Sequence, residues 1–392
     1  MTLHSRAIEG FKRLDALLGI PLARALGGPA RLLPEQPRDV LVVRLWGLGN
    51  LVLLAPVFAA AAGRVRLLTL RRNADFVAAH FPGVAVLTVP EPHHAGFLPA
   101  LLALRSELRR EPPDLILDCE QFLRLPLLLL RCCCRAPTVG LDLPGQGRGP
   151  LLDRPVRHDP TRHVAETFRA LGLAAGLQPR PGITALCVDP AARRRVAERL
   201  PRGGGPLVVL HPGSGDHFPG RRWPPGRFAE LARGLQAACG AQVVLTGVRD
   251  EAALLAAVAR RSGPAVRSLA GALDAAELVA LLARADLLVS NDTGPVHVAD
   301  AVGTPCVALF GPNTPLRYGP RRRGSRALFA DLPCSPCLDD RTMKSSSCRH
   351  YACMDALAVD AVFNACAAAL GGAGRTGAAR ERERERHDAL AR

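Results

Sequence analysis

Short apolar runs alternate with longer mixed segments along most of this chain. The run at 39–45 (DVLVVRL) ends in Trp46-Gly47-Leu48-Gly49-Asn50, and a helical stretch follows. Similar runs at 64–70, 84–89, 114–119 and 137–141 read as four further strands, with helical stretches between most of them. The rhythm restarts at 206–211 (PLVVLH) and continues with runs at 242–246, 265–269, 287–290 and 306–310. Helical segments are expected near 226–238, 250–261, 274–284 and 295–302. Near-continuous apolar strands alternating with helices predict an α/β protein whose parallel sheets are covered on both faces.

The repeat divides the chain into a lead-in at 1–38, a first α/β domain at 39–185, a second at 200–350, a helix at 351–370 and a charged tail at 371–392. The Pro/Gly/Arg-rich stretch 178–205 is the expected join. Ligands of such sheets bind outside the carboxyl ends of the strands, so two facing domains predict a cleft fed by both. The tail, with alternating Arg and Glu, reads as solvated or disordered. In the lead-in, Phe11, Leu14, Leu17, Leu18, Leu22 and Leu26 fall near a helical stripe, among Arg6, Lys12, Arg13 and Arg24. This pattern reads first as a helix packed on its own domain, and second as one resting on anionic lipid.

The longest apolar run, 51–62, contains Pro56 and is too short for the ~20 residues of a membrane helix. The start lacks a signal-peptide core, so a cytoplasmic chain is expected. The net charge of +16 suits an anionic acceptor or membrane surface. Of the 51 basic residues 49 are arginine and aromatics are only 4 %, so the arginines reflect a global bias and a nucleic-acid partner is not expected.

Two strand-to-loop junctions could carry chemistry. At 289–312 (VSNDTGPVHVADAVGTPCVALFGP) a strand runs into Asp292-Thr293-Gly294, and Pro295 opens a helix. Such a helix start presents backbone N–H groups and partial positive charge to a diphosphate, with His297 one turn in. A plain N-cap with a structural histidine fits the same residues. At 210–223 (LHPGSGDHFPGRRW), Ser214 and small neighbours could admit a ligand, and Arg221 and Arg222 could return to the same anion; a solvated loop is the alternative. Glu251, after the strand at 242–246, could accept hydrogen bonds from a ribose or complement a helix start.

Taken together and in this order, Asn291-Asp292-Thr293-Gly294 with His297, Gly303-Thr304-Pro305, Phe310-Gly311-Pro312, Gly213-Ser214, Arg222-Trp223-Pro224 and the 47–56 block resemble glycosyltransferase family 9, the heptosyltransferases. The resemblance covers about 39–370. It implies a GT-B architecture of two Rossmann-like domains. A nucleotide-diphosphate sugar such as ADP-heptose would sit on the second domain, held by Ser214, Arg222, Glu251, Asp292, Thr293, Gly294 and His297. The first domain would receive a lipopolysaccharide or other glycan acceptor, with possible peripheral contact to anionic membrane. Transfer would invert the anomeric centre without a catalytic metal or cofactor, and no Asp-x-Asp pair occurs in the chain.

Two positions depart from the family pattern. Its usual Asp general base is Asn50 here, and an amide takes no proton at neutral pH. Its phosphate-contacting Lys is Arg222, which keeps the charge and adds a planar fork. The Asn50 exchange points either to a base relocated to Asp118 or Glu120 or to a catalytically impaired nucleotide-sugar-binding relative. Cys334-x2-Cys337-x10-Cys348-x4-Cys353 has a first pair with thiolate-metal spacing, so a structural zinc or iron stands beside plain thiols as the reading. Cys132-Cys133-Cys134 reads as core filling.

Overall fold

The computed structural model describes residues 3–91, 94–121, 123–200, 204–215, 219–338 and 346–371, with backbone alone at 3–9 and 11–13. The tail beyond 371, read from sequence as disordered, lies outside the described residues. The chain divides into two compact units between Gly182 and Ile183.

The first unit contains the helices α1 (Leu3–Leu26), α2 (Leu48–Ala60), α3 (Ala74–His80), α4 (Phe97–Arg110), α5 (Leu125–Cys133) and α6 (Val164–Ala174). Its strands are β1 (Asp39–Val43), β2 (Arg64–Leu70), β3 (Val84–Val89), β4 (Leu115–Asp118), β5 (Thr138–Asp142) and β6 (Arg154–Arg157). All strands pair in parallel, in the order β3-β2-β1-β4-β5-β6. This is the Rossmann order, and it reverses between β1 and β4.

The second unit repeats the plan. Its strands are β7 (Leu207–His211), β8 (Gln242–Leu245), β9 (Arg267–Ser268), β10 (Leu287–Asn291), β11 (Cys306–Phe310) and β12 (Arg326–Phe329). They lie in parallel in the order β12-β11-β10-β7-β8-β9, with the reversal between β7 and β10. The helices are α7 (Pro190–Arg199), α8 (Pro225–Cys239), α9 (Ala252–Ser262), α10 (Ala275–Arg284), α11 (Gly294–Val302), α12 (Pro315–Tyr318), α13 (Ala352–Asp355) and α14 (Val359–Gly371).

Central strands are buried along their whole length because parallel crossovers cover both faces: every residue of β7, β10 and β11 is buried. The pattern of apolar runs predicts five strands per unit, and among the described residues each unit has six. The extra strands, β6 and β12, are both edges, and their sequences RPVR and RALF are short and arginine-bearing. Edge strands tolerate Pro and charge because one side meets water. The stretch 178–205, read as the join, also holds α7, capped by Asp189 accepting from the Ala191 and Ala192 N–H groups. The α14 helix adds Val362 and Cys366 to the core that contains Val208, Trp223, Phe228, Val289, Val307 and Leu309.

Trp223 is fully buried, stacks edge-to-face on Phe228 at 5.1 Å, and donates its indole N–H to the Leu357 carbonyl at 2.9 Å. It thereby ties the loop before α8 to the C-terminal segment. Trp223→Ala should cost about 3–5 kcal/mol, from lost packing and a cavity. Urea unfolding followed by circular dichroism measures it; a loss under about 1 kcal/mol contradicts this role.

Candidate functional site

In the second unit the order reversal leaves a gap between the carboxyl ends of β7 and β10, the usual ligand position of an open parallel sheet. Two loops fill it: 212–215 after β7 and 292–294 after β10. Asn291, at the end of β10, is fully buried. Its amide N–H groups donate to the carbonyls of Pro212 (2.8 Å) and Gly213 (3.1 Å), and its carbonyl oxygen accepts from the Trp223 N–H at 3.0 Å. One side chain therefore knits β10, the β7 loop and the start of α8 together. Arg221 bridges the same loops from outside, donating to the carbonyls of Asp292 (3.0 Å) and Ser214 (3.1 Å). In the sequence Asn291 stands out only as part of the Asn291-Asp292-Thr293-Gly294 motif. Its amide type before Asp-Thr-Gly, at a buried strand end, was the available signal for a bridging role.

Glu251 is buried beneath this loop. One carboxylate oxygen accepts the N–H groups of Ser214 (2.9 Å) and Gly215 (3.0 Å), and the other accepts from Val248 (3.1 Å). A Cβ on Gly213 would collide with that carboxylate, so only glycine admits it there. Arg222 closes the arrangement: its guanidinium donates to Ser214 Oγ (3.2 Å) and the Gly215 carbonyl (3.2 Å), and lies 3.8 Å from Glu251. The Glu251 carboxylate, expected to accept from a ribose, is engaged here by the N–H groups of Ser214, Gly215 and Val248. Residues 216–218 of this loop lie outside the described residues.

Thr293 caps α11 with extended backbone, and Pro295 sits in the helix's first turn. Thr293 and Gly294 are half-buried, whereas Asp292 and His297 are buried. The Thr293 hydroxyl lies 3.0 Å from Ser290 Oγ and 3.2 Å from the Asn291 carbonyl. Asp292 is held in place: a carboxylate oxygen accepts from the Asn313 side chain at 2.8 Å and lies 3.6 Å from Arg221. The structure therefore gathers Ser214, Asp292, Thr293 and Gly294 on two adjoining loops, with Arg222 and Glu251 packed against them from other segments. The rim thus carries the α11 N-terminus and two guanidinium groups, of which Arg221 lies 3.6 Å from Asp292 and Arg222 3.8 Å from Glu251. His211, the last residue of β7, is held below its ordinary pKa chiefly by burial, with the Glu251 charge and a backbone contact to Thr246 opposing.

At the far end of α11, Asp300 accepts the Arg321 N–H at 2.7 Å and the Arg322 N–H at 3.4 Å. Burial nevertheless pushes its carboxyl up to about 6 from 3.8.

In the first unit the corresponding reversal lies between β1 and β4. Gly47 has φ +86°, which suits glycine, and Asn50 follows half-buried in the first turn of α2. Asp118 and Glu120 are both buried and form a closed network. Asp118 is paired with Arg148 and accepts the Glu120 N–H at 3.0 Å. Glu120 accepts the Leu45 N–H at 2.6 Å and is paired with Arg44 at 3.4 Å. Arg44 and Arg148 also donate to the Cys119 (2.8 Å) and Glu120 (2.7 Å) carbonyls. Burial, above all, pushes the Asp118 carboxyl up to about 6 against the pull of Arg148. Glu120 and Asp118, the two positions expected to hold a relocated base, are thus both engaged by buried arginines and backbone N–H groups.

The cysteine quartet does not form an assembled ligand set. Cys334 is exposed, Cys337 and Cys348 are half-buried, and Cys353 is buried. Among the described residues no group of three or more His, Cys, Asp or Glu side chains is placed to hold a metal ion. The Cys337 N–H instead donates to the Pro312 carbonyl at 2.9 Å, and its sulfur accepts from the Ser346 hydroxyl at 3.2 Å.

Comparison with known proteins bears on this geometry. Residues 101–346 match the family model for glycosyltransferase family 9 (heptosyltransferase). Lipopolysaccharide heptosyltransferase 2 of Salmonella typhimurium is 40 % identical over 114 residues, 28 % of this chain and 32 % of the relative. Lipopolysaccharide heptosyltransferase 1 of Pseudomonas aeruginosa is 32 % identical over 246 residues, 60 % of this chain and 64 % of the relative. These alignments thus span between about a third and two thirds of the relatives' length. The solved structure of E. coli ADP-heptose lps heptosyltransferase II superposes with TM-score 0.66 at 20 % identity, covering 85 % of this chain and 99 % of that one. Two Rossmann units with this backbone likeness define a GT-B protein. More particularly, the chain belongs to glycosyltransferase family 9.

Two predictions test this description. Asp300 binds its proton more tightly folded than unfolded, so from about pH 4 to pH 6 the native state holds more protons and its contribution falls as pH rises. The stability of the parent relative to Asp300→Asn should drop by about 3 kcal/mol across that window and then level off. Urea titrations at several pH values measure it; a difference independent of pH, or rising with pH, contradicts it. Arg148→Met strands a buried carboxylate and should cost about 3–5 kcal/mol; a neutral result by the same method contradicts the network.

Proposed function

We propose that this chain is an inverting glycosyltransferase that moves a heptose from a nucleotide-diphosphate donor, ADP-heptose, to a lipopolysaccharide or related cell-envelope glycan. The observation carrying this reading is the meeting of the α11 N-terminus and Ser214, on two adjoining loops at the β7/β10 reversal, with Arg221 and Arg222 donating to those loops. The relatives' names support it, since they act as lipopolysaccharide heptosyltransferases. The diphosphate would lie against the Gly294 end of α11, where backbone N–H groups and the guanidinium groups balance its charge. That charge grows as the anomeric C–O bond breaks, so the same groups favour the leaving group in the transition state. The acceptor hydroxyl oxygen forms the new bond to the anomeric carbon as the nucleoside diphosphate departs with the old bond's electron pair, and the hydroxyl proton passes to water.

A second reading, a nucleotide-sugar-binding relative with impaired turnover, is favoured by Asn50 together with the engaged state of Asp118 and Glu120. No carboxylate at those three positions stands ready to take the acceptor's proton. The protein would work in the cytoplasm, at the inner face of the membrane. A structural zinc or iron at Cys334, Cys337, Cys348 and Cys353 is a separate expectation, tested by metal analysis of the purified protein.

The deciding experiment supplies ADP-heptose and a heptose-accepting core glycan and measures released ADP and extended glycan for the parent and Asn50→Asp. The parent should bind donor and transfer slowly, and the carboxylate should raise kcat at least tenfold with little change in donor affinity. Donor binding without transfer in either protein establishes the impaired reading. Absence of any donor binding overturns both.

A further inference from the structure

The α1 helix has two faces of different kind. Its inner face is small and fixed. Asp15 is fully buried and accepts the N–H groups of Arg124 (2.7 Å) and Leu125 (2.6 Å), while its second oxygen pairs with the Arg124 guanidinium at 2.9 Å. Ala23 is fully buried, and a Cβ on Gly19 would collide with Arg124 Nε. The helix can therefore neither roll nor lift without breaking a buried ion pair. The polar anchor thus dictates which face looks outward.

The outward face is apolar. Leu14, Leu18, Pro21 and Ala25 fall within a wedge of about 60° at 3.6 residues per turn, flanked by Leu17 and Leu22. Leu14 is 46 % exposed, Leu17 74 %, Leu18 47 %, Leu22 40 % and Leu26 45 %. Scattered exposed leucines need no explanation, but a helical stripe of four, Leu14, Leu17, Leu18 and Leu22, does. From Leu14 to Leu22 the stripe is about 12 Å long, shorter than a bilayer core. Among the described residues no helix is long and apolar enough to cross a membrane.

We propose that this stripe is an interfacial anchor that seats the protein on an anionic lipid surface. Charge favours lipid. The α1 sequence carries Arg6, Lys12, Arg13 and Arg24 against Glu9 and Asp15, Asp15 is already neutralised by Arg124, and the whole chain is +16. Basic residues beside an apolar stripe are the composition of helices that lie in the headgroup layer. Pro21 points the same way. It has no N–H, so the Leu17 carbonyl lacks its usual helical donor. The wet headgroup layer tolerates such a carbonyl, whereas a dry seam with a second copy does not.

The inference deepens the reading of a lipid-linked acceptor, on which it rests, by naming the element that meets the bilayer. Its test uses the full chain and sedimentation with vesicles of phosphatidylglycerol and phosphatidylethanolamine, or of phosphatidylcholine alone. The parent should partition at least tenfold more strongly onto the anionic vesicles. Leu17→Glu with Leu18→Glu should lose at least tenfold of that partitioning with an unchanged melting temperature, because both side chains are exposed. Unaltered binding by the double variant overturns the proposal, as does failure of the parent to bind. A lipid-free dimer that the double variant disrupts also overturns it, in favour of a second copy. Transfer to a delipidated, soluble core glycan should be the same in both proteins. Lost partitioning with retained transfer therefore separates the anchor from the activity, and intact partitioning without transfer counts against the activity alone.

Discussion

The second unit's site rests on the side chain of Asn291. A fully buried amide at a strand end must find partners for both its donors and its acceptor, because an unmet polar group in that position is costly. It finds them in Pro212, Gly213 and Trp223, which lie 68 to 79 residues earlier in the chain. Satisfying one amide thereby fixes the loop after β7 against the loop after β10. Glu251 then fills the space that Gly213 leaves open and holds the loop from below, and Arg221 and Arg222 hold it from the rim. The two loops are therefore ordered by the scaffold itself, and a group fixed in advance has little ordering cost to meet on binding.

The first unit uses the same topological position differently. Where the second unit exposes a helix start and guanidinium groups, the first buries two carboxylates and two arginines in a closed set. Arg44 also lies over the Phe168 ring at 5.8 Å, which joins β1's end to α6. Removing one member of such a set leaves a buried charge alone, so its integrity constrains the loop that carries Gly47 and Asn50. Two copies of one fold thus differ in what their switch points present: a helix N-terminus with half-buried arginines in one and a satisfied, buried polar core in the other.

Much of this was legible in the sequence because central parallel strands must be apolar on both faces. The runs at 39–45, 64–70, 206–211 and 287–290 could hardly form anything else. The edge strands β6 and β12 escaped because water on one side relaxes that demand. The loops at 212–215 and 292–294 were legible through Gly, Ser and Pro at the ends of apolar runs. Roles within them were not. Two residues two apart, Asp118 and Glu120, read as candidates for one face, but their partners Arg148 and Arg44 come from distant segments. Only the folded chain shows those carboxylates as engaged. Glu251 was found as a site carboxylate, yet its partners are backbone N–H groups of a loop more than 35 residues earlier, which no local pattern records.

The central claim is that the loops at the β7/β10 reversal hold a nucleoside diphosphate. Hydrogen–deuterium exchange of the full chain, with and without saturating ADP-heptose, tests it most directly. The account predicts slowed exchange concentrated at 212–215, 221–223 and 293–297. Saturated binding that leaves those three segments unchanged, with protection elsewhere, would contradict it.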